Sequence, residues 1–252
     1  MNLFEQLYQI KWIADLVNAF NLNFIKGNKW TWLLKGLGNT LRITFFAVLL
    51  GIAIGVVIAI VRSTYDKNKE TTRKKGSFGS LILSVLNAIC KVYLTIIRGT
   101  PVVVQLLIMY FIIFASSTND IMVAIIAFGI NSGAYVAEIF RGGIMAIDKG
   151  QFEAGRSLGF NYFQTMVHII IPQMFKVVLP TLCNEFIVLL KETSVAGYIA
   201  LQDLTKGGDI IRSRTYDAFF PLISVAIIYL VMVMIFTKLV SMLERRLQQS
   251  ER

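Results

Sequence analysis

Apolar residues gather in long runs along the chain rather than alternating with polar ones. Residues 43–61, 99–119 and 218–237 contain no charged side chain. As helix, each is long enough to cross a hydrocarbon layer of about 30 Å, which takes roughly 20 residues. Residues 121–137 are slightly short but continue into Glu138 and Ile139, and residues 177–190 are apolar except for Glu185. That last run resumes at 193–200 after Lys191 and Glu192. A further run, 81–97, contains Lys91 and ends on Arg98-Gly99-Thr100-Pro101.

Charge decides the order in which these runs cross. Basic residues crowd into 62–75 and recur at Arg141, Lys149, Arg156 and Lys176. If both loops face the cytoplasm, as basic loops do, an even number of crossings separates them. The sequence therefore predicts that 81–97 lies along the inner interface and turns at Pro101 into the next span; an extra crossing there is the alternative. Five transmembrane helices follow, at about 40–61, 99–119, 121–140, 177–198 and 218–239, with the N-terminus outside and the C-terminal tail, 246–252, inside. Sixteen Lys/Arg then fall inside and seven outside. Within 1–36, apolar residues at Leu3, Phe4, Leu7, Ile10, Ile13, Leu16, Val17 and Phe20 share one helical face, so this segment reads as an amphipathic helix on the outer interface or as a loose outer tail. Small residues recur every fourth position at Ala47, Gly51, Gly55 and Ala59, and again at Gly129, Gly133 and Ala137. That spacing lets helix backbones pack closely in lipid.

Composition agrees. The chain has 252 residues, 56% hydrophobic and only 16% charged, against about 25% charged in soluble domains, with a mean hydropathy of +0.65 and a net charge of +10. An all-α, multi-pass protein of the cell membrane is expected, and its basic excess belongs to inner loops rather than to a nucleic-acid surface. Cys90 and Cys183 stand far apart, and His168 is the single histidine, so neither a disulfide framework nor a metal site is indicated. Glu5, Lys11 and Asp15 interrupt the first twenty residues, so no cleavable leader is expected.

One inner loop is unusually organised. In residues 148–172, Asp148 with Gln151 reads as a helix cap with a reciprocal partner, Gly159 as a left-handed stop, and Asn161 with Gln164 as a second cap. Pro172 is expected to interrupt the second helix where it enters the membrane. A helix–Gly–helix unit with capped ends suits docking, and the small Ala154 and Gly155 permit close approach.

Here the chain resembles the type I permeases of ATP-binding-cassette importers. Their cytoplasmic signature is Glu-Ala-Ala, three residues, Gly, nine residues, Ile, one residue, Leu-Pro. Glu153, Ala154, Gly155, Gly159, Ile169, Ile171 and Pro172 stand at that spacing, with Gly155 and Ile171 departing from it. Arg98-Gly99-Thr100-Pro101 with Gln105, the stretch from Tyr135 to Ile144, Gly150-Gln151 and Lys191-Glu192-Thr193-Ser194 are similar to the branch serving polar amino acids such as histidine, glutamine, arginine and cystine. The resemblance, covering about 36–245 of a permease domain at 37–245, implies a non-catalytic membrane subunit with no cofactor of its own. Implied partners are ABC ATPase subunits holding ATP and Mg, a second permease chain (the same or a similar one) and an extracellular or periplasmic amino-acid-binding protein. It also implies that Glu153, Ala154, Gly155, Gly159, Ile169 and Pro172 form an ATPase-coupling element. The sequence has no GxxxxGK[ST] phosphate loop, which agrees with an ATPase on another chain.

Ionisable groups within a span usually face a cavity or a partner. Glu185, Lys191 and Glu192, with Thr193 and Ser194, are candidates for a substrate path, since a zwitterion needs an acceptor and a donor; a structural pairing of Lys191 with a glutamate, or of a glutamate with Arg42, is the alternative. Glu138 and Arg141 are expected to pair at an inner helix end. Arg98 and Pro101 are expected to fix a turn or gate. Asp203, Lys206, Asp209, Arg212, Arg214 and Asp217 form an outer loop of zero net charge, either solvated or receiving the binding protein. An ion-coupled secondary amino-acid carrier remains the competing function, but five spans without an inverted repeat suit it poorly. A membrane enzyme lacks a clustered catalytic set.

Overall fold

A computed structural model describes residues 3–71 and 78–249, and side chains within 11–66 and 79–247. The described residues form helices and turns without a strand. They are α1 (Leu3–Phe20), α2 (Trp30–Thr71), α3 (Phe78–Gly99), α4 (Val102–Ile108, widened into a π-type turn at Met109–Ile113), α5 (Asp120–Ala146), α6 (Lys149–Ser157), α7 (Tyr162–Thr165), α8 (Ile171–Glu192), α9 (Leu204–Thr215) and α10 (Phe219–Gln249). A π-type turn at Met166–Ile170 joins α7 to α8, and a 3₁₀ segment, Thr193–Ile199, extends α8. Much of the basic run 62–75 and the last residues of the 246–252 tail lie outside the described residues.

The bundle is organised around α2 and α5, whose small-residue faces meet. A Cβ on Gly51 would lie 2.9 Å from the Ser132 Oγ, one on Gly55 2.5 Å from Val136, and one on Gly129 2.6 Å from Leu50. Contacts advance in the same direction along both helices, so α2 and α5 run parallel. The chain between them must return, and α4 does so: Gln105 meets Asn131 and Tyr110 meets Asp120, which makes α4 antiparallel to α5. α8 is antiparallel to α5 as well, with Gly143 against Val178 and Ser132 against Glu185. α10 returns along α8, with Phe186 on Phe236.

Five helices among the described residues are long and apolar enough to cross a membrane by length and composition: Trp30–Asp66, Gly79–Gly99, Asp120–Ala146, Tyr162–Ile199 and Phe219–Leu247. The number agrees with expectation, but one member differs. In place of a continuous span over 99–119 there is the shorter apolar helix Val102–Ile113, while the helix expected at 81–97 forms as Phe78–Gly99, itself long and apolar enough to cross. The break comes from Pro101, which lacks an N–H and holds φ −63°, ψ 138°, outside the helical region. Gln105 satisfies what the break exposes: its Nε2 donates to the Ile97 carbonyl at 2.7 Å and to the Thr100 carbonyl and hydroxyl at 3.1 and 2.8 Å.

Pro172 departs from expectation too. It lies in the first turn of α8, where a missing N–H is tolerated, and the helix continues through it after the π-type turn Met166–Ile170. The helix expected near the N-terminus forms as α1, with Ile13, Val17 and Phe20 exposed on one face.

At the end opposite the 148–172 loop, α9 packs across α2. Thr40 Oγ1 accepts from the Leu204 N–H at 3.1 Å, and Asp203, fully buried, caps α9 by accepting from Thr205 and Lys206 N–H at 3.1 and 2.9 Å. Burial pushes the Asp203 carboxyl above its ordinary range against the pull of those donors. A Cβ on Gly36 would lie 2.3 Å from the Asp203 carbonyl oxygen and 2.9 Å from the Leu204 Cα, both backbone atoms that cannot rotate away. Gly36→Ala is therefore expected to cost about 1–3 kcal/mol by overpacking. Gly38→Ala, where a Cβ meets nothing within 4 Å, serves as the control. Thermal unfolding of the purified protein checks this: equal melting temperatures for the two variants would refute the close contact.

Candidate functional site

The 148–172 loop is built from local hydrogen bonds. Asp148 accepts from the Gly150 N–H at 2.7 Å and starts α6. Its expected reciprocal partner does something else: the Gln151 side chain accepts from Gln173 Nε2 at 3.1 Å, tying α6 to α8. α6 ends where Gly159 takes φ +79°, with Gly159 N–H donating to the Arg156 carbonyl at 2.9 Å and Phe160 N–H to the Gly155 carbonyl at 3.0 Å. Both bonds of the glycine-terminated helix stop are present. The second cap is reciprocal as expected: Asn161 and Gln164 exchange side-chain and backbone bonds at 2.9 Å each.

Gly155 explains its own departure from the Glu-Ala-Ala pattern. It is buried against α7, and a Cβ there would lie 2.6 and 2.7 Å from the Thr165 Cγ2 and Oγ1. Close packing of the two short helices thus requires the glycine, and the helix forms in spite of it. Glu153, Ala154 and Gly159 are exposed, Ile169 is half-buried and Pro172 exposed. Leu158 and Phe163, which the sequence did not single out, are 70% and 74% exposed beside them. The loop presents a rigid, partly apolar knob.

Among the described residues no hydrogen bond or ion pair joins the residues expected along a substrate path to one another. Glu185 accepts from the Ser132 hydroxyl at 2.9 Å, a partner invisible in sequence because it lies on α5. Lys191 is exposed and Glu192 half-buried; among the described residues neither they nor Arg42 form an ion pair, which argues against the structural pairing. The Thr193 hydroxyl is buried and donates to the Leu190 carbonyl at 2.8 Å, and Ser194 is half-buried.

Glu138 pairs with Arg141 as expected, at 3.1 Å, but also with Arg62 at 2.7 Å and with Arg98 at 4.0 Å. Arg98 also stacks 5.9 Å from the centre of the Tyr135 ring. It acts on α5, whereas Gln105 braces the Pro101 turn. The charges of 203–217 are largely used internally: Asp209 binds Lys206 and Arg212 at 3.1 and 2.6 Å, Arg214 covers the Trp32 ring at 4.4 Å, and Asp217 accepts from Asn23 at 2.6 Å. Hydrogen bonds from Arg212 and Lys206 hold the Asp209 carboxyl below its ordinary range.

Comparison with known proteins bears on this geometry. Residues 76–249 match the family model described as the binding-protein-dependent transport system inner membrane component. A protein of Rickettsia typhi named as a glutamine transport system permease is 35% identical over 218 residues, covering 85% of this chain and 92% of its own. The arginine transport system permease protein of Bacillus subtilis is 34% identical over 222 residues, covering 87% and 94%. A crystal structure of an amino acid ABC transporter with histidines superimposes with a TM-score of 0.76 at 41% identity, covering 88% of this chain and 98% of that one.

Placing alanine at Gly155, as the signature has it, is expected to destabilise the loop by about 1–3 kcal/mol, more than the roughly 1 kcal/mol a helix gains from the exchange. Thr165→Ala removes both clashing atoms and is expected to recover most of that loss in the double variant. Limited proteolysis within 148–172 reads the effect, and additive losses would refute the contact.

Proposed function

We infer the function from kinship and loop together: the chain belongs to the family of binding-protein-dependent transport system inner membrane components, and it is the permease component of an amino-acid ABC importer. It is a multi-pass membrane subunit, not an enzyme. Beyond that, the proposed reading is that the 148–172 loop lies in the cytoplasm and seats in a separate ATPase subunit, with Glu153, Ala154, Gly155, Gly159, Ile169 and Pro172 forming the coupling element. ATP and Mg belong to that partner. A second permease chain, identical or similar, completes the pathway, and a binding protein delivers a polar amino acid on the outer side. The N-terminus then lies outside and the C-terminus inside.

The observation that carries this reading is the loop itself. Two capped short helices locked by Gly155 and Gly159 form a stiff projection with exposed Leu158 and Phe163, a shape suited to a groove in another protein. In the proposed topology α2 descends, α3 lies at the inner side and turns at Pro101 into α4, which ascends, α5 descends, α8 ascends and α10 descends. The parallel pairing of α2 with α5 supports a single return between them. Glu185 with Ser132, and Lys191, Glu192, Thr193 and Ser194 nearer the outer end, are proposed to line the substrate path; Arg98 and Pro101 are proposed to hold the bend where a gate would act.

Gly159 gives the sharpest test. A Cβ there meets nothing within 4 Å, so substitution acts through the backbone alone. Valine resists positive φ far more than asparagine does. In the reconstituted complex, uptake driven by ATP without an ion gradient is expected to fall about five- to thirtyfold in Gly159→Val, given a strain of roughly 1–2 kcal/mol in the loop, and to be largely kept in Gly159→Asn. Uptake that needs an ion gradient and no ATP would favour the secondary carrier. Labelling of an engineered cysteine in the loop by impermeant thiol reagents from outside intact cells would overturn the topology.

A further inference from the structure

At the end of the bundle that carries the 148–172 loop, three helices converge on one carboxylate. Glu138 of α5 receives Arg62 of α2 on one oxygen at 2.7 Å and Arg141 on the other at 3.1 Å, so both oxygens are engaged. Arg98 of α3 stands 4.0 Å away, beyond hydrogen-bond reach. Lys91 lies two turns earlier on the same face of α3, with Thr95 between them, and makes no ion pair among the described residues. Arg62, Lys91, Thr95, Arg98 and Glu138 line a common cleft of about 460 Å³. Three cations thus line one cleft with a single carboxylate whose two oxygens Arg62 and Arg141 already engage. Like charges held this close raise one another's free energy unless an anion enters.

Depth and surroundings specify the anion. Arg62 follows directly on the uncharged stretch 43–61, and Arg98 is the penultimate residue of α3, so the cleft lies where apolar surface gives way to polar. Beside the Lys91–Thr95–Arg98 stripe, α3 exposes a neighbouring stripe of Val85, Ile89, Val92 and Ile96, each more than half exposed. Charged donors at headgroup depth next to a bare aliphatic stripe match a molecule with a phosphate at one end and hydrocarbon at the other. Guanidinium and ammonium groups suit phosphate oxygens, and basic pockets between helices on the inner side hold anionic headgroups.

We propose that this cleft binds one anionic phospholipid of the inner leaflet, its phosphate held by Lys91, Arg98 and the Thr95 hydroxyl and its acyl chains lying along the exposed stripe of α3. The site rests on the inward orientation proposed above but not on ATP coupling. Native mass spectrometry of the purified transporter complex, titrated with phosphatidylglycerol in neutral detergent, tests it without any transport measurement. The wild-type complex is expected to retain the lipid, Lys91→Gln to weaken retention about fivefold, Lys91→Arg to restore it, and Lys149→Gln, outside the cleft, to leave it unchanged. Inorganic phosphate in large excess is expected not to displace the lipid. The proposal is overturned if Lys91→Gln and the double variant Lys91→Gln/Arg98→Gln retain lipid like wild type, or if Lys149→Gln loses it equally. Displacement by inorganic phosphate would also overturn it, because the cleft would then be a site for free oxyanions.

Discussion

The bundle depends on how closely the α2 and α5 backbones approach. Lipid removes the hydrophobic drive that joins helices in water, leaving dispersion and hydrogen bonding, both steep in distance. Gly51, Gly55, Gly129 and Gly133 bring each helix to a separation at which one added carbon meets another atom below 3.0 Å. That contact also fixes the two helices as parallel. Parallel neighbours in one chain need a return between them, so the position of α4, the bend at Pro101 and the site of Arg98 beside Glu138 all follow. The same device recurs at both ends: Gly36 and Gly207 bring α2 onto α9, and Gly143 brings α5 onto α8.

Polar groups then set register where apolar packing would tolerate sliding. Gln105 joins the broken end of α3 to α5 through Asn131, Ser132 joins α5 to α8 through Glu185, and Thr40 joins α2 to α9 through the Leu204 N–H. Each link crosses between helices far apart in sequence, and none can shift by one residue without leaving a buried polar group unsatisfied, a cost of about 1–3 kcal/mol.

The legible features were those written in local spacing. The Gly159 stop, the Asn161–Gln164 cap and the two small-residue faces depend on residues within a turn or two of one another, and the sequence carries them. The misread ones turn on partners elsewhere. The turn at Pro101 was expected, but not the Gln105 side chain that replaces the lost backbone bonds, which hydropathy does not record. Gln151 looked like the partner of Asp148 because spacing allows it, yet Gln173 competes for the same amide from across the loop. Glu138 revealed Arg141 at three residues' distance but not Arg62 or Arg98, and Gly155 read as room for a close approach without showing that Thr165 fills it.

These contacts bear on how a push at the loop would travel under the proposed function. α6 cannot tilt freely: Gly155 is packed on Thr165, and Gln151 is bonded to Gln173 in the first turn of α8. α8 in turn is fitted to α5 at Gly143 and, about 16 Å deeper by helical rise over the eleven positions back to Ser132, held by the Ser132–Glu185 bond. A displacement of the loop therefore moves α5 and α8 as one body rather than bending either. The weakest joint along the route is the bend before α4, where Pro101 leaves the backbone without a continuous ladder and a single glutamine side chain spans the gap. Motion delivered by the loop would be absorbed there, beside Arg98 and Glu138, which places the compliant point of the bundle at the inner mouth rather than among the close-packed glycines.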